Sequence, residues 1–206
     1  MRYFKYTPGS RSEDYMKMLI LPALEVLTVE DQTYIPGYII DTLALHPFLS
    51  ACANSLRRIT LIEAERNYRP PPDCGVLVNI LSALPSLEYL ELGLIYMPHS
   101  YFDPFLARLA ETGNAGGVTF LPELQSLKFN SLSGVSWPLI PSIFWWTGSP
   151  NPRPLRQLII EDVMAVKAES LTIDVIDQLI DLLDDGVDIQ LYDEEGERIF
   201  VKDSAR

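Results

Sequence analysis

The residues that most often perform enzyme chemistry are few in this chain. It has two histidines, His46 and His99, and neither lies in a motif that would supply a nucleophile, a base or a metal partner. His46 precedes Pro47 at a predicted helix end, where its ring can donate to free carbonyls and favour the helix dipole. His99 follows a Met-Pro pair in a predicted loop. We therefore predict no catalytic residues and no enzyme activity.

The cysteines and the acidic clusters form no recognisable reactive or metal site either. Cys74 begins a predicted helix, where a thiolate can be stabilised, but no histidine is close to it in the sequence. Cys52 lies among small and apolar residues and no CxxC motif is present, so two free, inert thiols are predicted, with a single disulfide as the alternative. The acidic clusters near Asp184 and Asp193 lack the spaced ligands of a calcium loop. No metal and no cofactor is predicted.

Composition predicts a folded protein whose surface suits protein partners better than nucleic acid or acidic lipid. The chain has 206 residues, of which 48% are hydrophobic and 21% charged, and its net charge is −12. That length fits one domain, and a negative field of this size repels phosphate backbones and anionic membranes. Apolar runs are broken well before the ~18 residues of a membrane span, and the N-terminus has no signal-peptide pattern. We predict a cytoplasmic or nuclear protein.

A repeated strand pattern sets the architecture in which these residues lie. The sequence LPSLEYLELG at 84–93 has near-copies that begin at residues 21, 54, 121 and 152, and a weaker sixth copy lies at 186–193. Each strong copy fits L-x-x-L-x-L with conservative exchanges, and its central apolar residue recurs every 31 to 37 residues. These central residues are Leu27, Ile59, Leu90, Leu127, Leu158 and Ile189. The period predicts stacked units, each with one short strand that pairs in parallel with the next.

The segments between the strands change to a helical period, which predicts an α/β fold. Asp73 is predicted to cap one helix, Asp103 to cap the next and Gly186 to stop the last. The proline-rich segment before the fifth copy permits only a short helix around residues 143–146. Two short strands around Glu195 are predicted to form a C-terminal hairpin that covers the open edge of the sheet.

The strand copies resemble leucine-rich repeats of the long, irregular form that has a helix on the convex side. The resemblance covers about residues 21–192, and it implies a single domain over 1–206 with a C-terminal cap and tail at 193–206. The implied fold is a horseshoe-shaped solenoid with parallel strands on its concave side. The LPxLExLxL copies, the acidic turn at 184–186 and the closing DIQLYDEEGERI are more specifically similar to the C-terminal part of fungal F-box proteins.

This resemblance implies a protein-binding role. In F-box proteins the repeats select the substrate of a cullin-based ubiquitin ligase, while an F-box near the N-terminus docks on the ligase adaptor. No F-box is found in this sequence, so a ligase adaptor is expected as a partner only if an F-box exists outside this chain. The alternative is a free-standing leucine-rich repeat scaffold or inhibitor with no ubiquitin link.

The candidate binding site is the concave face of the predicted sheet, where a protein substrate would lie. Side chains alternate along a strand, so the residues between the repeated leucines point away from the core. Arg58 and Tyr89 are the first candidates, because interfaces favour arginine and tyrosine as anchors. The full predicted protein-binding set is Arg58, Tyr89, Glu91, Lys128, Gln157, Glu161 and Tyr192.

Overall fold

The computed structural model describes ten segments of the chain, and these contain seven strands and five helices. The described residues are 1–7, 19–31, 45–63, 73–94, 100–111, 119–130, 136–144, 154–161, 172–193 and 195–198. The strands are β1 (Tyr3–Tyr6), β2 (Val26–Asp31), β3 (Arg58–Glu63), β4 (Tyr89–Leu94), β5 (Ser126–Asn130), β6 (Gln157–Glu161) and β7 (Asp188–Leu191). The helices are α1 (Leu45–Cys52), α2 (Cys74–Ser82), α3 (Asp103–Ala110), α4 (Leu139–Ser142) and α5 (Ile173–Asp184). None of these five helices is long and apolar enough to cross a membrane.

All seven strands form one parallel sheet, and their order in space follows their order in the chain. The central residues of the repeats lie side by side across it: Leu27, Ile59, Leu90, Leu127, Leu158 and Ile189. The predicted register is therefore confirmed, and so is an α/β fold with a parallel sheet. The repeats do not include β1, which lacks the leucine triplet but pairs with β2 through Phe4 opposite Leu27. It extends the sheet by one strand.

One face of the sheet is buried beneath the helices. The inward side chains of β4, Leu90 and Leu92, are 0% and 1% exposed. Leu77 of α2 and Phe105 of α3 belong to the same buried cluster, and the ring of Phe105 stands edge-on to Phe129 of β5 with centroids 6.3 Å apart. Each unit contributes only a strip of this apolar surface, so its core is completed by the neighbouring units.

A repeated hydrogen-bond pattern, here called the entrance ladder, joins the start of each strand to the next. The carbonyl of Arg57, just before β3, accepts from the N–H groups of Glu88 and Tyr89 at 2.8 and 3.0 Å. The same double acceptance occurs at the carbonyls of Arg2, Glu25, Glu88 and Gln125. Each strand begins with a turn of the backbone, whose N–H and C=O groups would otherwise lack hydrogen-bond partners. The bonds of the entrance ladder supply those partners.

Two helices differ from their predicted positions. α1 begins at Leu45, so the placement of His46 at a helix end is wrong: it lies exposed in the first turn, where its carbonyl accepts from Ser50 Oγ at 2.8 Å. Pro47 is tolerated there because the first N–H groups of a helix have no intrahelical partner. α4 likewise lies before the predicted residues 143–146, the last two of which fall outside the described segments.

The predicted helix caps are confirmed in one case and wrong in another. Asp73 caps α2, since its Oδ1 accepts from the N–H of Gly75 at 3.0 Å. Asp103 is not a cap: Phe102 precedes α3 and Asp103 lies in its first turn, where Oδ2 accepts from Ser136 Oγ at 2.7 Å. The carboxylate therefore ties α3 to the segment before α4 instead of closing its own helix.

The C-terminal edge of the sheet is partly closed by the chain that follows β7. Gly186, predicted as the stop of the last helix, follows α5 with a φ of 86°, a left-handed conformation that favours glycine. Tyr192 and Arg198 form a single antiparallel bridge, and Arg198 Nη2 donates to the carbonyl of Ile189 at 3.1 Å. Among the described residues the predicted hairpin around Glu195 is therefore present as this single bridge, and residues 194 and 199–206 lie outside them.

Candidate functional site

The face of the sheet opposite the helices carries polar and aromatic side chains, and we call it the open face. In β5, Ser126 and Lys128 stay partly exposed on this face while Leu127 and Phe129 point into the core. The strand register aligns these side chains in rows. The first row is Tyr3, Val26, Arg58, Tyr89, Ser126, Gln157 and Asp188. The second row is Lys5, Thr28, Thr60, Glu91, Lys128, Ile159 and Gln190.

Arg58 and Tyr89 form a stacked pair in the first row. β3 and β4 place the two residues side by side, and the guanidinium carbon of Arg58 lies 3.7 Å from the centroid of the Tyr89 ring. This cation–π contact uses the flat face of the guanidinium and leaves its N–H edges for other acceptors. Arg58 is exposed, and no carboxylate among the described residues pairs with it.

Glu91 receives hydrogen bonds from three strands. Its Oε2 accepts from the hydroxyls of Thr60 and Tyr89, both at 3.1 Å, and its Oε1 accepts from Asn130 Nδ2 at 2.9 Å. Burial opposes ionisation of this carboxyl, but the bond from Asn130, the charge of Lys128 and the two hydroxyl bonds outweigh it. Together they hold the pKa of Glu91 below its ordinary value, so the group is a carboxylate at neutral pH.

Lys128 joins Glu91 to the next strand. Its Nζ lies 3.3 Å from Glu91 Oε1 and 2.9 Å from Glu161 Oε1. Burial acts to lower the pKa of Lys128, but the hydrogen bond to Glu161 and the charge of Glu91 outweigh that effect and raise it. Burial, aided by the charge of Glu91, also raises the pKa of the Tyr89 hydroxyl. The centre of the open face is therefore a cluster of fixed charges in which one lysine lies between two carboxylates.

A second group of side chains converges on Asp188 at the β7 end. Ser126 Oγ donates to Gln157 Oε1 at 2.7 Å, and Gln157 Nε2 donates to Asp188 Oδ2 at 2.9 Å. From the other side, the Tyr192 hydroxyl donates to Gln190 Oε1 at 2.7 Å, and Gln190 Nε2 donates to the same Asp188 oxygen at 2.6 Å. Both chains of donors end on one carboxylate, which they orient.

The seven predicted site residues divide between these two groups. Five are linked by direct contacts: Arg58, Tyr89, Glu91, Lys128 and Glu161. Gln157 and Tyr192 are instead linked to each other through Asp188 and Gln190. The predicted set omits Asp188, although it includes Tyr192 from the same repeat copy. The repeat register, which sets Asp188 opposite Gln157, was the sequence signal that could have added Asp188 to the set.

The other reactive side chains of the described segments offer little chemistry. Cys52 and Cys74 are buried free thiols, and burial raises the pKa of each to about 11, so both stay protonated at neutral pH. His46 is exposed on α1, and His99 lies outside the described residues. Within those residues, no group of three histidine, cysteine or acidic side chains is placed to hold a metal ion. The open face thus offers stacking and hydrogen bonding.

No family model, no curated protein and no solved structure matches this chain. The class of the protein is defined by its own fold and site. It is an α/β protein with a seven-stranded parallel sheet in sequential order, and its open face carries two groups of hydrogen-bonded polar side chains.

Proposed function

We propose that this chain is a protein-binding leucine-rich repeat module and that the open face is the concave binding surface of a horseshoe. The observation that carries the proposal is the sequential parallel sheet, which sets the stacked Arg58 and Tyr89 beside an ordered polar array. Solenoids with such a sheet characteristically present it as an extended surface to other macromolecules.

The character of the open face favours a protein partner over other ligands. Seven strands span about 29 Å at about 4.8 Å per interval, which is wide for a small molecule. The net charge of −12 disfavours nucleic acid. Arginine and tyrosine are among the side chains enriched at the energetic centres of protein interfaces. Here the two side chains already hold each other in place, which lowers the ordering cost of binding.

The resemblance of the repeats to fungal F-box proteins extends the proposal to ubiquitin ligases. In that extension the chain is the substrate-recognition part of an F-box-type adaptor of a cullin-based ligase, and its protein partner is a substrate. The support is the run of LPxLExLxL copies and the closing DIQLYDEEGERI. A free-standing scaffold or inhibitor would use the same open face but would leave the level of its partner unchanged.

The binding proposal is tested by quantitative affinity capture with two variants, one altered on the open face and one altered on the helices that cover the other face of the sheet. The double variant Arg58→Ala and Tyr89→Ala removes the stacked pair on the open face. Asp177→Ala and Asn79→Ala alter exposed positions on α5 and α2 and serve as the matched control. We expect the double variant to lose at least one captured protein that the wild type and the control retain at equal levels. A captured set that is identical for all three chains would reject the open face as the binding surface.

The ligase extension needs a separate measurement. After the wild-type protein is depleted from cells, the partner that depends on Arg58 and Tyr89 should accumulate, and its ubiquitin conjugates should fall. Blocking the proteasome should produce the same accumulation in cells that retain the protein. A partner whose abundance and conjugation stay constant would contradict the ligase role and favour the scaffold.

A further inference from the structure

The first row of the open face carries two charges of opposite sign that no described residue neutralises. Arg58 stands on β3, and Asp188 stands four strands away on β7. The other charged side chains of this face pair with one another: Lys5 with Glu30, and Lys128 with both Glu91 and Glu161. Lys128 faces two carboxylates, so this group has a net negative charge. The side chain of Glu161 is 43% exposed and lies on β6, so the excess negative charge adds to that of Asp188 on the β7 side of the sheet.

Both charges are held in place with bonding capacity left over. The stack on Tyr89 fixes the plane of the Arg58 guanidinium and leaves its N–H edges, which suit a carboxylate, free to donate. At Asp188 both amide donors use Oδ2, which leaves Oδ1 for a further donor. A side chain that is already oriented loses little freedom when a charged partner arrives.

We propose that the open face binds an extended segment of its protein partner, laid across the strands with an acidic side chain on Arg58 and a basic side chain on Asp188. This inference rests on the proposed protein-binding function and adds the chemistry of the bound segment. Its basis is that one row of the open face carries a fixed cation and a fixed anion, which are complementary to a segment with one acidic and one basic side chain.

The geometry of the sheet fixes the spacing of the two partner residues. Four strand intervals of about 4.8 Å separate Arg58 from Asp188 by about 19 Å. An extended chain advances about 3.4 Å per residue, so this span corresponds to about six residues. An even number also keeps both side chains on the same side of the segment. The bound segment therefore has an acidic residue at position i and a basic residue at position i+6.

Selection from a library of random peptides displayed on phage tests this pattern with the full chain. Peptides retained by the wild-type protein should be enriched in an acidic residue six positions from a basic one. For a selected peptide, Arg58→Glu should weaken binding about 10-fold or more by fluorescence anisotropy. Replacing the acidic residue of that peptide by lysine should restore binding to the Arg58→Glu protein. Asp188→Lys should show the reciprocal rescue when the basic residue of the peptide becomes glutamate.

Controls separate the charge effect from loss of folding. Arg108→Glu and Asp177→Lys reverse charges on α3 and α5, away from the open face, and should bind the selected peptide as the wild type does. If Asp188→Lys unfolds, Asp188→Asn removes the same charge with nearly the same shape and should also weaken binding. Thermal unfolding of each variant verifies that the chain is folded.

Two kinds of failure have different meanings. Peptides that bind the open face without the spaced charges, or that respond equally to Arg58→Glu and Arg108→Glu, overturn this inference and leave the protein-binding function standing. If selected peptides do not compete with protein partners, and those partners are indifferent to Arg58 and Tyr89, the proposed function itself fails.

Discussion

Leu90→Ala tests the assignment of the two faces of β4. Leu90 points into the core and is 0% exposed, whereas its neighbour Tyr89 lies half-buried on the open face. Truncating each side chain to alanine perturbs adjacent positions of the same strand. Since alternate residues of a strand face opposite sides, the two changes should have very different effects on stability.

The magnitude follows from the surroundings of each residue. Ile59 and Leu127 flank Leu90 in the core and are also 0% exposed, and β4 is the central strand, so the site cannot collapse around the missing atoms. Such a truncation costs about 3–5 kcal/mol in the free energy of unfolding. With an unfolding entropy of about 2.1 cal/mol/K per residue, 4 kcal/mol corresponds to a fall in Tm of about 9 °C for 206 residues. Tyr89→Ala gives up one cation–π contact and one hydrogen bond, about 1–2 kcal/mol together.

Urea unfolding followed by circular dichroism measures both free energies of unfolding. Tyr89→Phe serves as the control, because it keeps the ring over which Arg58 stacks and removes only the bond to Glu91. We expect losses in the order Leu90→Ala, then Tyr89→Ala, then Tyr89→Phe. Equal losses for Leu90→Ala and Tyr89→Ala, or a larger loss for Tyr89→Ala, would refute the assignment of faces and with it the open-face site.

Three further outcomes are expected. The folded-state pKa of Glu91 lies below its unfolded value, so its ionisation stabilises the fold above about pH 4, and this contribution is lost as the pH falls through the folded-state pKa. The difference in the free energy of unfolding between the wild type and Glu91→Gln should therefore shrink between neutral pH and about pH 3. Cys52 and Cys74 should not react with a thiol reagent at neutral pH until urea unfolds the chain, and fast labelling of the native protein would contradict their burial. Gly186→Ala should cost about 1 kcal/mol of stability in thermal unfolding, since alanine is strained at a φ of 86°; no loss would show that this turn adopts another conformation.

The strands and their register could be predicted because one apolar ladder repeats throughout them. Leu27, Ile59 and Leu90 each occupy the middle of a copy, and a parallel sheet places equal positions of successive copies side by side. β1 escaped this reasoning because its inward side chains, Phe4 and Tyr6, are aromatic and no leucine triplet marks them. Phe4 fills the place opposite Leu27 and packs on Phe48 of α1, a contact between segments 44 residues apart that no local pattern encodes.

The helix positions and the polar contacts were harder to predict. Pro47 can mark either the end of a helix or its first turn, since proline is excluded from a helix interior but tolerated at its start. The packing of Phe48 and Leu49 in the core shows that it lies in the first turn. The open-face residues could be placed in rows from the alternation of the strands. Their contacts depend on side-chain rotamers, so the convergence of donors on Glu91 and Asp188 required the structure.

Because of the entrance ladder, hydrogen exchange of the amide protons at the strand starts reports the separation of neighbouring units. The N–H of Glu88 is held by the carbonyl of the preceding unit, and the carbonyl of Glu88 in turn holds the N–H of Gln125. Exchange of one such proton with solvent therefore requires two adjacent units to separate. The two outermost junctions, at Arg2 and Gln125, each have a neighbouring junction of this kind on one side only, so exchange should be fastest at these two and slowest towards the middle of the sheet.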